Sequence, residues 1–427
     1  MAVVPIWAHY DEPTHYEYLR YVTIHRRLPT PGEPDDTILR EIAGTVDGSQ
    51  ISGCESASPD IPLCVSPAHQ FDEMPGYYVL QAFFQMVFAP ADVAGRVQLS
   101  RLISVALAVS TAWLAYASAR RAFPQDTLLA LSTALMMGLI PGYVDLMSAL
   151  SNDVGAVAAF TFLNFALTTA ILKEGHARSL PAVGLGLAAC VLAKSSAWIG
   201  LAVAGIGLLL AYWPRLSRSL RIASGVSGAI VLIATFRWQP GVGPLLREGI
   251  DRLLPAGGAN WRLESWYTPA NWPHYFAGIR WQFVTFWAAF ANGEAGLPRA
   301  GIAILAAISL FAAVGLIIAL VWLLRPAAQP GYQQRILIFY ALATLTALGM
   351  SLARIDPPGG YMPTARHFYT AIAPTVTLFL IGLGNWFPPV PRGYTYGLLM
   401  LVLYAMGIWS LVYIQIPFFL NEWPSIH

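Results

Sequence analysis

The sequence predicts an all-α protein that crosses a membrane about ten times, and three observations carry that expectation. Of 427 residues, 56% are hydrophobic and only 11% charged, where an ordinary soluble domain has about 25% charged residues. Runs at 300–324, 336–352 and 396–416 are apolar almost throughout, and a helix needs roughly 17–25 such residues to cross a bilayer. The run at 222–236 is short unless 219–221 extend it. Only helices and closed barrels satisfy the backbone in lipid, and runs of this length are helices.

Residues 1–97 come first, mostly polar and Pro-rich. They hold one apolar amphipathic stretch, PGYYVLQAFFQMVFAP (75–90), with proline near both ends, which suits an interfacial helix better than a span. Candidate spans follow near 98–119, 127–145, 153–172, 180–195, 197–213 and 219–236. A second polar and aromatic loop, 237–298, contains NWRLESWYTPANWPHYF, and tryptophan and tyrosine favour the lipid headgroups. Further spans lie near 299–324, 335–353, 368–386 and 394–416, leaving a tail at 417–427. The chain thus divides into 1–97, spans over 98–236, the loop 237–298, spans over 299–416 and the tail.

Alternate connections carry Arg120 and Arg121; Lys173 and Arg178; Arg215, Arg218 and Arg221; Arg325 and Arg335; and Arg392. The links at 148–152 and 195–196 lack such clusters, although 354–367 carries Arg354 and Arg366. The positive-inside rule puts the first set in the cytoplasm. The segment 1–97, the loop 237–298, the link 354–367 and the tail are then extracytoplasmic, on a multi-pass protein of the plasma membrane. Residues 1–8 are far too short for a signal peptide. Export of the long segment behind them leads to the expectation of a further helix ahead of Met1.

The net charge of +2 and the absence of basic runs exclude a nucleic-acid partner. Cys190 lies in an apolar span, whereas Cys54 and Cys64 bracket CESASPDIPLC in a polar loop. Outside the cytoplasm that pair is expected to form a disulfide; free thiols are the alternative.

The candidate chemistry gathers on the extracytoplasmic side. In HYDEPTHYEYLRY (9–21), Asp11 and Glu12 precede Pro13, and proline suits a first helical turn. Asp11 is the expected N-cap of an amphipathic helix bearing Tyr16, Leu19 and Thr23. Capping accounts for one carboxylate but not for two, nor for His9 and His15. The string is not HExxH, so a zinc-protease reading fails. In SALSNDVGAVAAF, Asn152 or Asp153 is expected either to cap the third span or to aim a carboxylate at the same face. Lys194, at the end of the fourth span, either snorkels to the headgroups or binds a lipid-borne phosphate. Arg366 and His367 open the ninth span, and arginine suits phosphate.

The order of these motifs resembles the GT-C superfamily of polyprenyl-phosphate-dependent membrane glycosyltransferases, in the branch of protein O-mannosyltransferases and lipid A aminoarabinose transferases. That family has an acidic motif in its first extracytoplasmic loop, similar to DEPTHYEYLRY here. A juxtamembrane Tyr-Tyr helix is similar to MPGYYVLQAFF (74–84), an Arg-Leu-x-Ser span to SRLISVALAVSTAWLAYASARRAF (100–123), and an Asp-containing loop to SNDVGAVA (151–158). LAKSSAW (192–198), FWAAFANGEAGLP (286–298) and ARHFYTAIAP (365–374) are similar to later motifs. The likeness runs from Asp11 to about Leu383. This chain departs from the pattern in lacking the first helix, in His367 where the bacterial pattern has tyrosine, and in the loop of Cys54 and Cys64.

The resemblance implies a GT-C-like fold and transfer of a sugar from a polyprenyl-phosphate donor to a protein or glycan acceptor of the cell envelope. It implies Asp11 as general base with Glu12 second, and Asp153 as acceptor-positioning group. Lys194, Arg366 and His367 are implied on the donor phosphate. Asp11, Glu12, Asp153 and His15 form the set that a magnesium or manganese ion would use, family members differing in metal need. The alternative is a non-catalytic membrane scaffold of the same fold. A transporter fits less well, because the spans carry few mid-membrane charges.

Overall fold

The structure is a computed structural model that describes residues 4–9, 11–45, 68–88, 90, 92–217, 269–290, 295–323, 331–355 and 362–422. Its described part is helical almost throughout. The one sheet found there is a two-residue antiparallel ladder, β1 (Ala289–Phe290) against β2 (Ala295–Gly296). The pair Cys54 and Cys64, the span 219–236 and most of the loop 237–298 lie outside the described residues.

Three helices precede the bundle: α1 (Glu12–His25), α2 (Asp36–Ala43) and α3 (Gly76–Phe88). Then comes α4 (Val93–Ala122), opened by Asp92, whose carboxylate accepts from the Gly95 N–H at 3.1 Å. Its 30 residues give about 45 Å of helix, ample for a hydrocarbon core of about 30 Å. Arg120 and Arg121 in its last turn oppose the helix dipole.

The next span is broken. α5 (Thr127–Leu139) and α6 (Pro141–Met147) meet at 70°. The hinge is Ile140, held extended at φ −80° and ψ 108° because proline pushes its predecessor out of the helical region. After α7 (Asn152–Leu172), Glu174 and Gly175 take left-handed φ of 51° and 69°. A side chain at Gly175 would also meet the Tyr212 ring, at 2.8 Å, so glycine suits this turn twice over. α8 (Leu180–Ala193) and α9 (Ile199–Tyr212) are parted by Lys194, whose extended backbone (φ −168°, ψ 148°) stops the helix. Beyond them lie α10 (Trp272–Ala288), α11 (Arg299–Leu323), α12 (Tyr332–Ala353), α13 (Ile372–Gly384) and α14 (Pro389–Ser410).

Among the described residues, six helices are long and apolar enough to span a bilayer, and the bent pair, taken as one span, makes a seventh. With two shorter apolar helices, Ala177–Ala193 and Tyr369–Gly384, they coincide with nine of the ten expected spans. The protein is therefore an all-α, multi-pass membrane protein. α7 is its axis: 67% of its apolar window is buried, packed by α4, α8 and α9. By contrast only 17% of the α11 and α14 windows is buried. Their exposed Ile304, Leu310, Ile317, Leu398 and Leu401 suit a lipid-facing rim.

α1 departs from the expected amphipathic helix. Tyr16 and Leu19 are buried, but so are Pro13, Glu17, Tyr18 and Tyr21 on its other faces. It packs between α2 and α3. α3 in turn reaches α4, the start of α7 and the end of α8. The N-terminal helices thus cover the end of the bundle where α7 begins and α8 stops.

Candidate functional site

Asp11 was expected to cap α1, and it does not. Its backbone sits in the left-handed region at φ 51°, which aspartate tolerates, and its side chain makes no capping bond. The Asp11 carbonyl takes over the helix start, accepting from the Thr14 hydroxyl at 2.7 Å and the His15 N–H at 3.1 Å. The carboxylate is thereby released to Arg366, whose Nη1 lies 2.8 Å from Oδ2. Packing around Asp11 pushes its carboxyl up, but the surrounding groups, Arg366 first among them, together more than offset this, and the group is lowered to about 2.

Glu12, one residue on, is committed elsewhere. Its Oε1 accepts from Arg101 Nε at 2.9 Å and the Leu150 N–H at 3.2 Å. Its Oε2 accepts from Arg101 Nη2 at 2.7 Å and the Trp7 N–H at 2.9 Å. Arg101 also donates to the Val4 and Pro5 carbonyls. Both side chains are sealed from solvent. Burial raises the Glu12 carboxyl, yet Arg101 holds it below its ordinary value. With four donors on two oxygens, Glu12 ties the N-terminal segment to α4 and the start of α7, and has no lone pair left for an acceptor proton or a metal.

Asp153 sits in the first turn of α7, and the expected cap is corrected by one position. Ser151 supplies the cap, its Oγ accepting from the Asp153 N–H at 3.2 Å. Asp153 instead pairs with Lys194, Nζ to Oδ1 at 2.9 Å, with both side chains nearly sealed. The break after α8 aims that lysine inward, so it does not snorkel to the surface. Beside it, Glu73 accepts from the Ser195 N–H and hydroxyl at 3.3–3.4 Å.

Arg366 and His367 belong to a single turn of 3-10 helix, Ala365–His367, anchored by the Thr285 hydroxyl, which accepts from the Ala365 N–H at 2.9 Å. His367 is buried, and neither ring nitrogen has a hydrogen-bond partner among the described residues. Burial, with Arg354, Arg366 and Lys194 nearby, holds its pKa well below the ordinary value. His367 is therefore a neutral imidazole rather than the cation expected on a phosphate.

His15 completes the group. Its Nδ1 lies 2.8 Å from the Tyr78 hydroxyl. Burial lowers its pKa to about 3, while Asp11 and Asp153 pull upward and Lys194 and Arg366 downward. All four charged residues of the two ion pairs therefore act on this one ring. Among the described residues, no group of three or more His, Cys, Asp or Glu is arranged to hold a metal ion. The carboxylates expected to do so are engaged by Arg366, Lys194 and Arg101. The proposed metal set does not fit.

Four contributors went unassigned in the sequence. Arg101 was visible as a lone charge in an apolar span, which calls for an acidic partner. Tyr77, Tyr78 and Gln81 lie on the buried face of α3. Tyr77 accepts from Gln81 at 2.9 Å and from the Ser151 N–H at 3.2 Å, and meets Ser104 at 3.0 Å, linking α3, α4 and α7. A separate concavity lined by Asp126, Asn385, Arg392 and Tyr396 touches none of these residues.

No protein-family model and no curated protein matches the chain. Among solved structures it is similar to the oligosaccharyltransferase of Archaeoglobus fulgidus, solved tethered to an acceptor peptide containing the NVT sequon. The TM-score is 0.41 at 15% identity, covering 80% of this chain and 46% of that one. The chain thus spans less than half the length of that protein.

Proposed function

We propose that the protein is an integral-membrane glycosyltransferase, moving a sugar from a polyprenyl-phosphate donor to an acceptor hydroxyl on the extracytoplasmic face. One observation carries the reading: Asp11, Asp153, Lys194 and Arg366, far apart in sequence, form two ion pairs around one neutral imidazole. Two cations suit a departing phosphate, and a carboxylate suits an attacking hydroxyl. α3 supports a lipid donor, since it turns Tyr78 towards this group and Phe83, Val87 and Phe88 outward.

In this mechanism the bond between the anomeric carbon and the phosphate oxygen breaks, its electron pair leaving on the phosphate beside Lys194 and Arg366. The acceptor oxygen bonds the anomeric carbon from the opposite side, inverting it, and its proton passes to Asp11. Paired with Arg366, Asp11 is ionised but weakly basic. A donor phosphate drawing Arg366 away raises the basicity of Asp11 as the substrate arrives. Asp153 holds Lys194 in place and orients the acceptor.

The test is sugar transfer by the purified full chain in proteoliposomes, with a panel of radiolabelled polyprenyl-phosphate hexoses and pentoses and an envelope-glycan acceptor. Wild type should transfer label, and Asp11→Asn should lose at least about a hundredfold. Equal transfer by Asp11→Asn removes Asp11 as base. If wild type neither binds nor turns over any donor, the enzyme reading fails and a non-catalytic scaffold takes its place.

A further inference from the structure

His15 has a defined tautomer, and its free N–H faces a use. The ring lies one helical turn beyond Asp11, whose carbonyl accepts from the His15 N–H and whose carboxylate acts on the ring. Tyr78 is sealed from solvent, and its other ring face stacks on Tyr18 at 3.8 Å and 9°. Burial, with Glu73 near, keeps its hydroxyl protonated. A buried phenol proton needs an acceptor, and among the described residues the Tyr78 hydroxyl meets only His15 Nδ1. Nδ1 therefore accepts, and a neutral imidazole then carries its proton on Nε2.

That Nε2–H makes no hydrogen bond to the described residues, although the histidine is buried. The charges of Asp11, Lys194, Asp153 and Arg366 all act on this ring. A cation here would be drawn into a third ion pair with the carboxylates. A neutral donor keeps its proton free for an incoming anion.

We infer that His15 Nε2–H is an uncharged third ligand, with Lys194 and Arg366, for a phosphate oxygen of the substrate, and that Tyr78 sets its tautomer. This rests on the proposed function for the identity of the lipid; the chemistry it shares with a free phosphate is the phosphate oxygen.

The experiment measures binding of a polyprenyl monophosphate, and separately of inorganic phosphate, to the full chain in nanodiscs. It runs alongside ¹⁵N NMR of histidine-labelled protein. Wild type should bind the lipid phosphate and show a His15 resonance of the Nε2–H tautomer. His15→Ala should weaken binding by roughly tenfold or more. Tyr78→Phe, which keeps the ring and the packing, should weaken it less and mix the tautomers. Equal binding by a folded His15→Ala, or an Nδ1–H tautomer in wild type, overturns the role of His15 alone. Wild type that binds no polyprenyl phosphate overturns both this role and the glycosyltransferase reading. Inorganic phosphate binding as tightly as the lipid, with the same loss in His15→Ala, supports the contact and assigns it to a free phosphate.

Discussion

Asp11 Oδ2 and Arg366 Nη1 lie 2.8 Å apart although 355 positions separate them in the chain. The pair joins the start of α1 to the turn before α13, and it sets a sign for acid stability. The Asp11 carboxyl falls from 3.8 to about 2 on folding. A depressed carboxyl contributes stability that is complete above the unfolded value and lost as pH falls through the folded one. Between about pH 4 and about pH 2, wild type should therefore lose melting temperature more steeply than Asp11→Asn. Parallel acid limbs in scanning fluorimetry would remove the pair from the protein's stability.

Glu12 and Arg101 should behave as structure, not chemistry. Taking one charge from a sealed, hydrogen-bonded pair costs about 3–5 kcal/mol, so Glu12→Gln and Arg101→Met should each lower melting temperature and folded yield. Glu12→Leu combined with Arg101→Met should recover part of the loss. Asp11→Asn, by contrast, should stay folded and lose transfer. A stable, inactive Glu12→Gln would return Glu12 to the chemistry.

Glu17 gives the opposite pH sign. It is buried; its Oε2 accepts from the Ala68 N–H at 2.9 Å, and its Oε1 has no partner among the described residues. Burial pushes its carboxyl from 4.5 up to about 7. A raised carboxyl favours the folded state while protonated and costs stability as pH rises from the unfolded value through the folded one. Glu17→Gln should therefore gain stability relative to wild type as pH rises from about 4.5 to about 7. A difference that does not change with pH would place the titration elsewhere.

How much of this was legible depended on range. Spans followed from apolar length alone, but the 70° break before Pro141 falls inside a span expected to run unbroken over 127–145. The grouping of Asp11, Asp153, Lys194 and Arg366 was within reach because charges placed on one face by topology find each other. Local rules failed where distant partners overrode them. Asp11 gave up its cap for Arg366, Ser151 capped α7 in place of Asn152 or Asp153, and Glu12 was consumed by an arginine 89 positions away. Nor does a sequence pattern tell a cationic histidine from a neutral one; burial decides that for His15 and His367.

The cap correction has its own test. Losing a serine N-cap costs about 1 kcal/mol, and glycine in its place costs a few tenths. Ser151→Ala should therefore melt below Ser151→Gly. Asn152→Ala should cost little, since both its amide atoms lack partners among the described residues. If Asn152→Ala costs more than Ser151→Ala, the cap lies at Asn152.

α3 presents an apolar face suited to lipid. GYYVLQAFFQMVF holds no charged residue, and its Val79, Leu80, Phe83, Met86, Val87 and Phe88 are exposed while Tyr77, Tyr78, Gln81 and Gln85 are buried. Left in water, that outer face would forgo about 25 cal/mol for each Å² it could otherwise bury. A helix at the headgroup and acyl boundary recovers it and keeps the Tyr78 side over the ion pairs. An environment-sensitive fluorophore on Phe83→Cys or Val87→Cys should emit to the blue and be quenched by lipids brominated high on the acyl chain. The same fluorophore on Arg27→Cys, exposed just beyond the end of α1, should not. Equal, water-like emission at both places would take α3 out of the membrane and with it the route by which a lipid donor reaches His15.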